Sequence, residues 1–102
     1  MSMNITRTTQ TDLLVRAFLC MRDEEECYQL LEDLMTIREI QDLAQRLEVA
    51  KLLWQKVTYN EIAQRTGVST ATISRVNRSL NYGEGGYEMV FERLGCEDDR
   101  PE

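Results

Sequence analysis

Ser69, Thr70, Ala71, Ser74, Arg75 and Arg78 are spaced to share the outward surface of one short helix. Small side chains let a helix approach base edges in a major groove, hydroxyls can donate and accept, and arginines reach phosphates or guanine. That is the chemistry of reading double-stranded DNA, not of making bonds. No acidic residue interrupts the stretch between Glu61 and Glu84. Tyr59, a little upstream, has two readings: stacking or hydrogen bonding at a phosphate, or packing on a neighbouring helix.

Catalytic chemistry finds little support. The chain has no His, the commonest general base and nitrogen ligand. It has no glycine-rich phosphate loop after a strand and no nucleophile beside an activating base, so no enzyme is expected. Cys20, Cys27 and Cys96 are odd in number and lack CxxC spacing, which argues against a disulfide framework or a zinc site and for a reducing, cytoplasmic setting. The triplet Glu24, Glu25, Glu26 points in different directions around a helix, so it reads as a solvated helix start rather than a metal cluster. No cofactor is expected.

The reading surface needs elements to hold it. A chain of 102 residues is the size of one domain, and 42% hydrophobic with 29% charged residues is enough for a core. No apolar run approaches the ~20 residues that cross a bilayer, so no membrane partner is expected. Leu13, Leu14, Ala17, Phe18 and Met21 predict a first helix from about residue 10, after a flexible stretch over 1–9. Asp23 caps a second, with Cys27, Leu30, Leu31 and Leu34 as its buried stripe. Thr36 and Glu39 form a capping box for a third, running from Ile37 to Trp54. Its apolar face, widened by Val49, Leu52 and Leu53, demands burial on more than one side, which a short chain meets with a second copy of itself.

Thr58 and Glu61 make another capping box, Gly67 suits a tight turn, and Ser69 can cap the helix after it. Ala63, Gly67, Val68, Ile73 and Val76 supply the small residue, turn and core of a helix-turn-helix over about 58–80. Tyr87, Val90, Phe91 and Leu94 predict a last helix ended by Gly95, before a disordered acidic tail over 96–102. The expected fold is all-α, with about six helices in a single domain over 10–95 and no strand.

The net charge of −6 at first disfavours a nucleic-acid partner. Between residues 55 and 82, however, Lys56, Arg65, Arg75 and Arg78 face one carboxylate, Glu61, for a local +3, which leaves −9 elsewhere. An acidic body thus carries a cationic head. The competing reading is a dimeric helical protein-interaction module without DNA binding, whose acidic faces meet a basic partner.

The strings Glu26-Cys27-Tyr28, Leu43-Ala44-Gln45-Arg46-Leu47-Glu48-Val49-Ala50 and, above all, Ser69-Thr70-Ala71-Thr72-Ile73-Ser74-Arg75-Val76-Asn77-Arg78 with Leu80-Asn81-Tyr82-Gly83 resemble the YerC/YecD branch of the Trp-repressor-like superfamily. The resemblance implies an intertwined homodimer acting as a bacterial cytoplasmic transcription regulator, probably best described by its family as a repressor. It implies Thr70, Ala71 and Ser74 as base-facing residues and Thr58, Tyr59 and Asn60 at the phosphate-contacting helix start. Thr36, Arg46, Thr72, Arg75 and Ser79 match positions that surround tryptophan in the repressor, the two arginines sandwiching the indole. Val76 stands where the repressor has Gly, so the pocket it implies belongs to an unspecified small-molecule effector rather than to tryptophan. Without a ligand, Arg46 would pair with Asp42 or Glu39 and Arg75 would serve DNA.

Overall fold

The computed structural model describes residues 6–95, and the described residues form six α-helices and no strand. The expected tail over 96–102, Cys96 and residues 1–5 lie outside them. The helices are α1 (Thr9–Leu19), α2 (Glu24–Leu34), α3 (Ile37–Trp54), α4 (Tyr59–Thr66), α5 (Thr70–Tyr82) and α6 (Gly86–Leu94).

Local polar chemistry sets nearly every helix start. Thr8 caps α1: its hydroxyl accepts from the Thr11 amide at 3.1 Å while the Thr11 hydroxyl accepts from the Thr8 amide at 2.8 Å. The Asp23 carboxylate accepts from the Glu26 amide at 2.9 Å, and Glu26 Oε1 reaches back to the Arg22 amide at 2.8 Å, so this acidic start serves the backbone of α2. Thr36 and Glu39 form the expected reciprocal box on α3, at 3.1 and 2.9 Å. The Thr58–Glu61 box is only half formed. The Thr58 hydroxyl accepts from the Glu61 amide at 3.2 Å, but the Glu61 carboxylate turns to Arg65 one turn on, 3.5 Å from its guanidinium.

The end of α3 has no counterpart in the sequence reading. The Val57 amide donates to the Leu52 carbonyl and the Lys56 amide to the Leu53 carbonyl, both at 3.0 Å, which is the paired bonding of a Schellman turn. Lys56 occupies its left-handed position with φ 70°, the one non-glycine residue with positive φ among the described residues. For a residue with a Cβ that conformation costs about 1–2 kcal/mol.

The chain divides at Gln41 into two compact units that share α3. In the unit from Asp42 onward, Val49, Ala50 and Leu52 of α3, Ile62 of α4, Val68 of the turn, Ile73 and Val76 of α5, and Phe91 of α6 form one buried cluster. The rings of Tyr87 and Phe91 stack with centroids 6.0 Å apart, and Trp54 approaches Phe91 at 6.3 Å with a 40° tilt. Leu80, expected to face inward, is half-buried.

In the other unit, α1 and α2 contain no buried residue. The stripe expected to be buried on α2 is not: Cys27, Leu30 and Leu31 are half-covered and Leu34 is exposed. Leu13, Val15, Phe18 and Leu19 of α1 are likewise exposed. The apolar periodicity is present, but a single chain does not supply the surface that would cover it.

Two glycines separate backbone freedom from steric space. Gly67 has φ 74° with open space around a would-be Cβ, whereas a Cβ on Gly83 would run into the Ser79 carbonyl oxygen. Gly67→Ala should therefore cost about 1 kcal/mol in urea unfolding, and Gly83→Ala should cost more, because backbone rather than a flexible side chain must yield.

Candidate nucleic-acid interface

The α4–α5 pair is held by its buried side. Ile62 and Ile73 are fully excluded from solvent, Val68 closes the turn, and half-buried Ala63 packs against the same cluster. Gly67 reverses the chain, its amide donating to the Ala63 carbonyl at 2.8 Å. Thr66 braces the turn, donating its hydroxyl to the Ile62 carbonyl at 2.7 Å and accepting from the Val68 amide at 3.2 Å. Ser69 then caps α5 by accepting from the Thr72 amide, and its hydroxyl donates to Thr72 Oγ1, each at 3.2 Å. Two helices and a left-handed glycine turn around an apolar seam are a helix-turn-helix.

The opposite side of α5 is open. Ser69, Thr70, Ala71, Ser74, Arg75 and Arg78 are all exposed, so the residues singled out from spacing do share one accessible surface. Thr58 and Asn60 are exposed at the start of α4; the Thr58 hydroxyl is occupied by its cap. Tyr59 is half-buried and packs against the core, which answers its two readings in favour of packing for most of the ring. Arg65 and Glu61 form the single ion pair among the described residues. Arg75 and Arg78 are thus without a carboxylate partner there. Sequence reading passed over Asn77 and Asn81, whose side chains are joined by a 3.0 Å hydrogen bond along α5. Their i, i+4 spacing was the available signal.

Arg75 differs from Arg78 in its surroundings. Arg46, Thr72 and Arg75 line two adjoining crevices of about 210 and 260 Å³, the second completed by Val76, Ser79 and Tyr87. Arg46 makes no ion pair with Asp42 or Glu39: Asp42 lines the first crevice without reaching it, and Glu39 is bonded to the Thr36 amide. Four of the five residues matched to an effector pocket therefore converge. The fifth, Thr36, lies in the other unit, where its hydroxyl caps α3. Each crevice is smaller than the ~300–1,000 Å³ that encloses most ligands. Val76 is buried beneath the second, and Tyr87 stands at its wall stacked on Phe91.

Nothing in this arrangement resembles a reaction centre. Cys20 and Cys27 are free, and among the described residues no group of three His, Cys, Asp or Glu side chains is placed to hold a metal ion. No helix among them is long and apolar enough to cross a membrane. What the surface can do is bind: short hydroxyl side chains beside unpaired guanidiniums, on a helix that projects from a rigid seam.

Comparison with known proteins agrees with this geometry. The chain is 51% identical over 94 residues to YerC of Bacillus subtilis (strain 168), an uncharacterized protein, covering 92% of this chain and 90% of that one. Among solved structures it is similar to a TrpR-like protein from Eubacterium eligens ATCC 27750, with a TM-score of 0.84 and 56% identity over 87% of this chain and 92% of the other. It is similar also to a candidate Trp repressor from Staphylococcus aureus, with a TM-score of 0.85 and 49% identity over 89% and 91% of the two chains. The family model of the Trp repressor protein matches residues 9–95, and with the six-helix fold and its helix-turn-helix this makes the chain a member of the Trp repressor family.

Proposed function

We propose that this protein is a sequence-specific DNA-binding transcriptional regulator, acting as a repressor, that binds a palindromic operator in the bacterial cytoplasm as a homodimer. The observation that carries the reading is the exposed polar and cationic face of α5, mounted on a helix-turn-helix whose other side is buried. Membership of a family built on a regulator fold, not an enzyme family, supports it. In this reading Thr70, Ala71 and Ser74 meet base edges, Arg75 and Arg78 meet guanine or phosphate, and Thr58, Tyr59, Asn60 and Ser69 lie along the phosphate backbone.

Dimerisation follows from unfinished burial. Leu13, Val15 and Phe18 of α1, Leu34 of α2, and Ile37, Leu43 and Leu47 of α3 are exposed large apolar residues. A second copy presenting the same faces covers them with self-complementary surface, and it sets two reading helices about one DNA turn, ~34 Å, apart.

Sedimentation of the purified chain should give twice the monomer mass, and selection from random duplexes at low salt should return a palindrome. A monomer, or no sequence preference, overturns the reading; a stoichiometric basic protein partner in place of duplex binding would favour the interaction module instead. Repeating the selection with candidate amino acids tests whether the crevice between Arg46 and Arg75 holds an effector.

Arg78→Ala should weaken binding to all duplexes and lower the slope of log affinity against log salt by about one. Ser74→Ala should instead alter sequence preference with little effect on non-specific affinity. Competition binding between the selected palindrome and scrambled duplexes, across a salt series, separates the two effects.

A further inference from the structure

The Lys56 backbone is strained where a glycine would be at ease. Its φ of 70° lies in the left-handed region of a Schellman turn, the position that glycine occupies most readily. Backbone strain of this kind points toward a use for the side chain that is kept there. The Lys56 side chain is exposed. Glu61 and Glu88 line the depressions on either side of it, yet neither carboxylate comes within ion-pair reach.

Position supplies the second argument. Lys56 precedes the α4 cap, Thr58, by two residues, and it shares an open depression with Asn77 and Asn81 of α5. Those two amides are bonded to each other at 3.0 Å, which orients both along the flank of the reading helix and leaves N–H donors over. An ammonium and two amides at one edge of a helix-turn-helix are donors of the kind that hold a phosphate oxygen.

Charge supplies the third. Of the four cations in the head, Arg65 is paired with Glu61 and Arg75 lines the crevices with Arg46. Lys56 and Arg78 have neither engagement. With −9 on the rest of the chain, a polyanion approaches against long-range repulsion, so each unengaged cation matters to attachment.

We propose that Lys56 is a phosphate contact of the DNA interface, held beside Asn77 and Asn81 by a strained left-handed turn, so that stability is given up for binding at this position. The inference rests on the DNA-binding reading above. The alternative role is structural: a cation near the C-terminus of α3 interacts favourably with the helix dipole.

The experiment compares the full-length protein with Lys56→Gly, Lys56→Asn, Lys56→Arg and, as control, Arg78→Ala, measuring thermal unfolding and duplex affinity from low to moderate salt. Glycine and asparagine both accept the left-handed conformation without the charge. Lys56→Gly should raise Tm by a few degrees, while both variants bind duplex several-fold more weakly, with the salt slope reduced by about 0.9. Lys56→Arg should keep the wild-type slope. Unchanged affinity and slope in Lys56→Gly and Lys56→Asn, with Arg78→Ala still impaired, overturns this inference alone. A wild-type protein that binds no duplex overturns the DNA-binding reading, and this inference with it. A fall in Tm for Lys56→Gly with DNA binding intact assigns Lys56 to the helix dipole.

Discussion

The burial of Ile62 against Ile73, across the left-handed turn at Gly67, is the contact on which the rest of the structure depends. It sets α4 and α5 as a rigid pair, and the pair is then anchored to α3 through Val49 and Leu52 and to α6 through Phe91. Because both isoleucines are fully buried, a shift of either helix opens a void or forces a clash, each costing on the order of 1–3 kcal/mol or more. The reading surface inherits this rigidity. Ser69, Thr70, Ser74 and Arg78 sit on the back of a helix whose front is locked, which is the condition for a helix to enter a groove in one register.

Outside that cluster the molecule is divided in a different way. Polar caps define where α1, α2 and α3 begin, but the apolar faces of α1 and α2 bury no residue within one chain. Local hydrogen bonds form helices without needing tertiary support, whereas hydrophobic burial needs a facing surface. The same asymmetry runs through α3: Val49, Ala50 and Leu52 are in the core, while Ile37, Leu43 and Leu47 remain exposed. An acidic, apolar-faced body and a compact cationic head are thus two physical problems on one chain, the first calling for a second copy and the second for a polyanion.

Much of this was legible before folding. Asp23, Thr36, Ser69 and Gly67 announced helix boundaries because capping depends on neighbours three or four residues away, and all four occupy their expected roles. The site was legible in part for the same reason: Ser74 and Arg78 lie on the face opposite Ile73 and Val76, as helical periodicity requires. Thr8 escaped notice because Thr11, rather than Glu or Gln, closes its capping box. Glu61 was misread in one detail, since a carboxylate at that position can serve either the Thr58 amide or Arg65, and it takes Arg65.

Sequence alone determined the all-α class, the six helices, the helix-turn-helix and the split of charge between head and body, because each depends on the order and spacing of residues along the chain. Tertiary structure decided which arginine does what. Arg75 is brought beside Arg46 across more than twenty-five intervening residues while Arg78, one turn on, is left clear, and no local pattern distinguishes them. It also decided that Lys56 takes a left-handed conformation, because the way α3 must end to bury Leu52 is a property of the packed core. Spacing specifies what a helix offers; only packing specifies what each offered group meets.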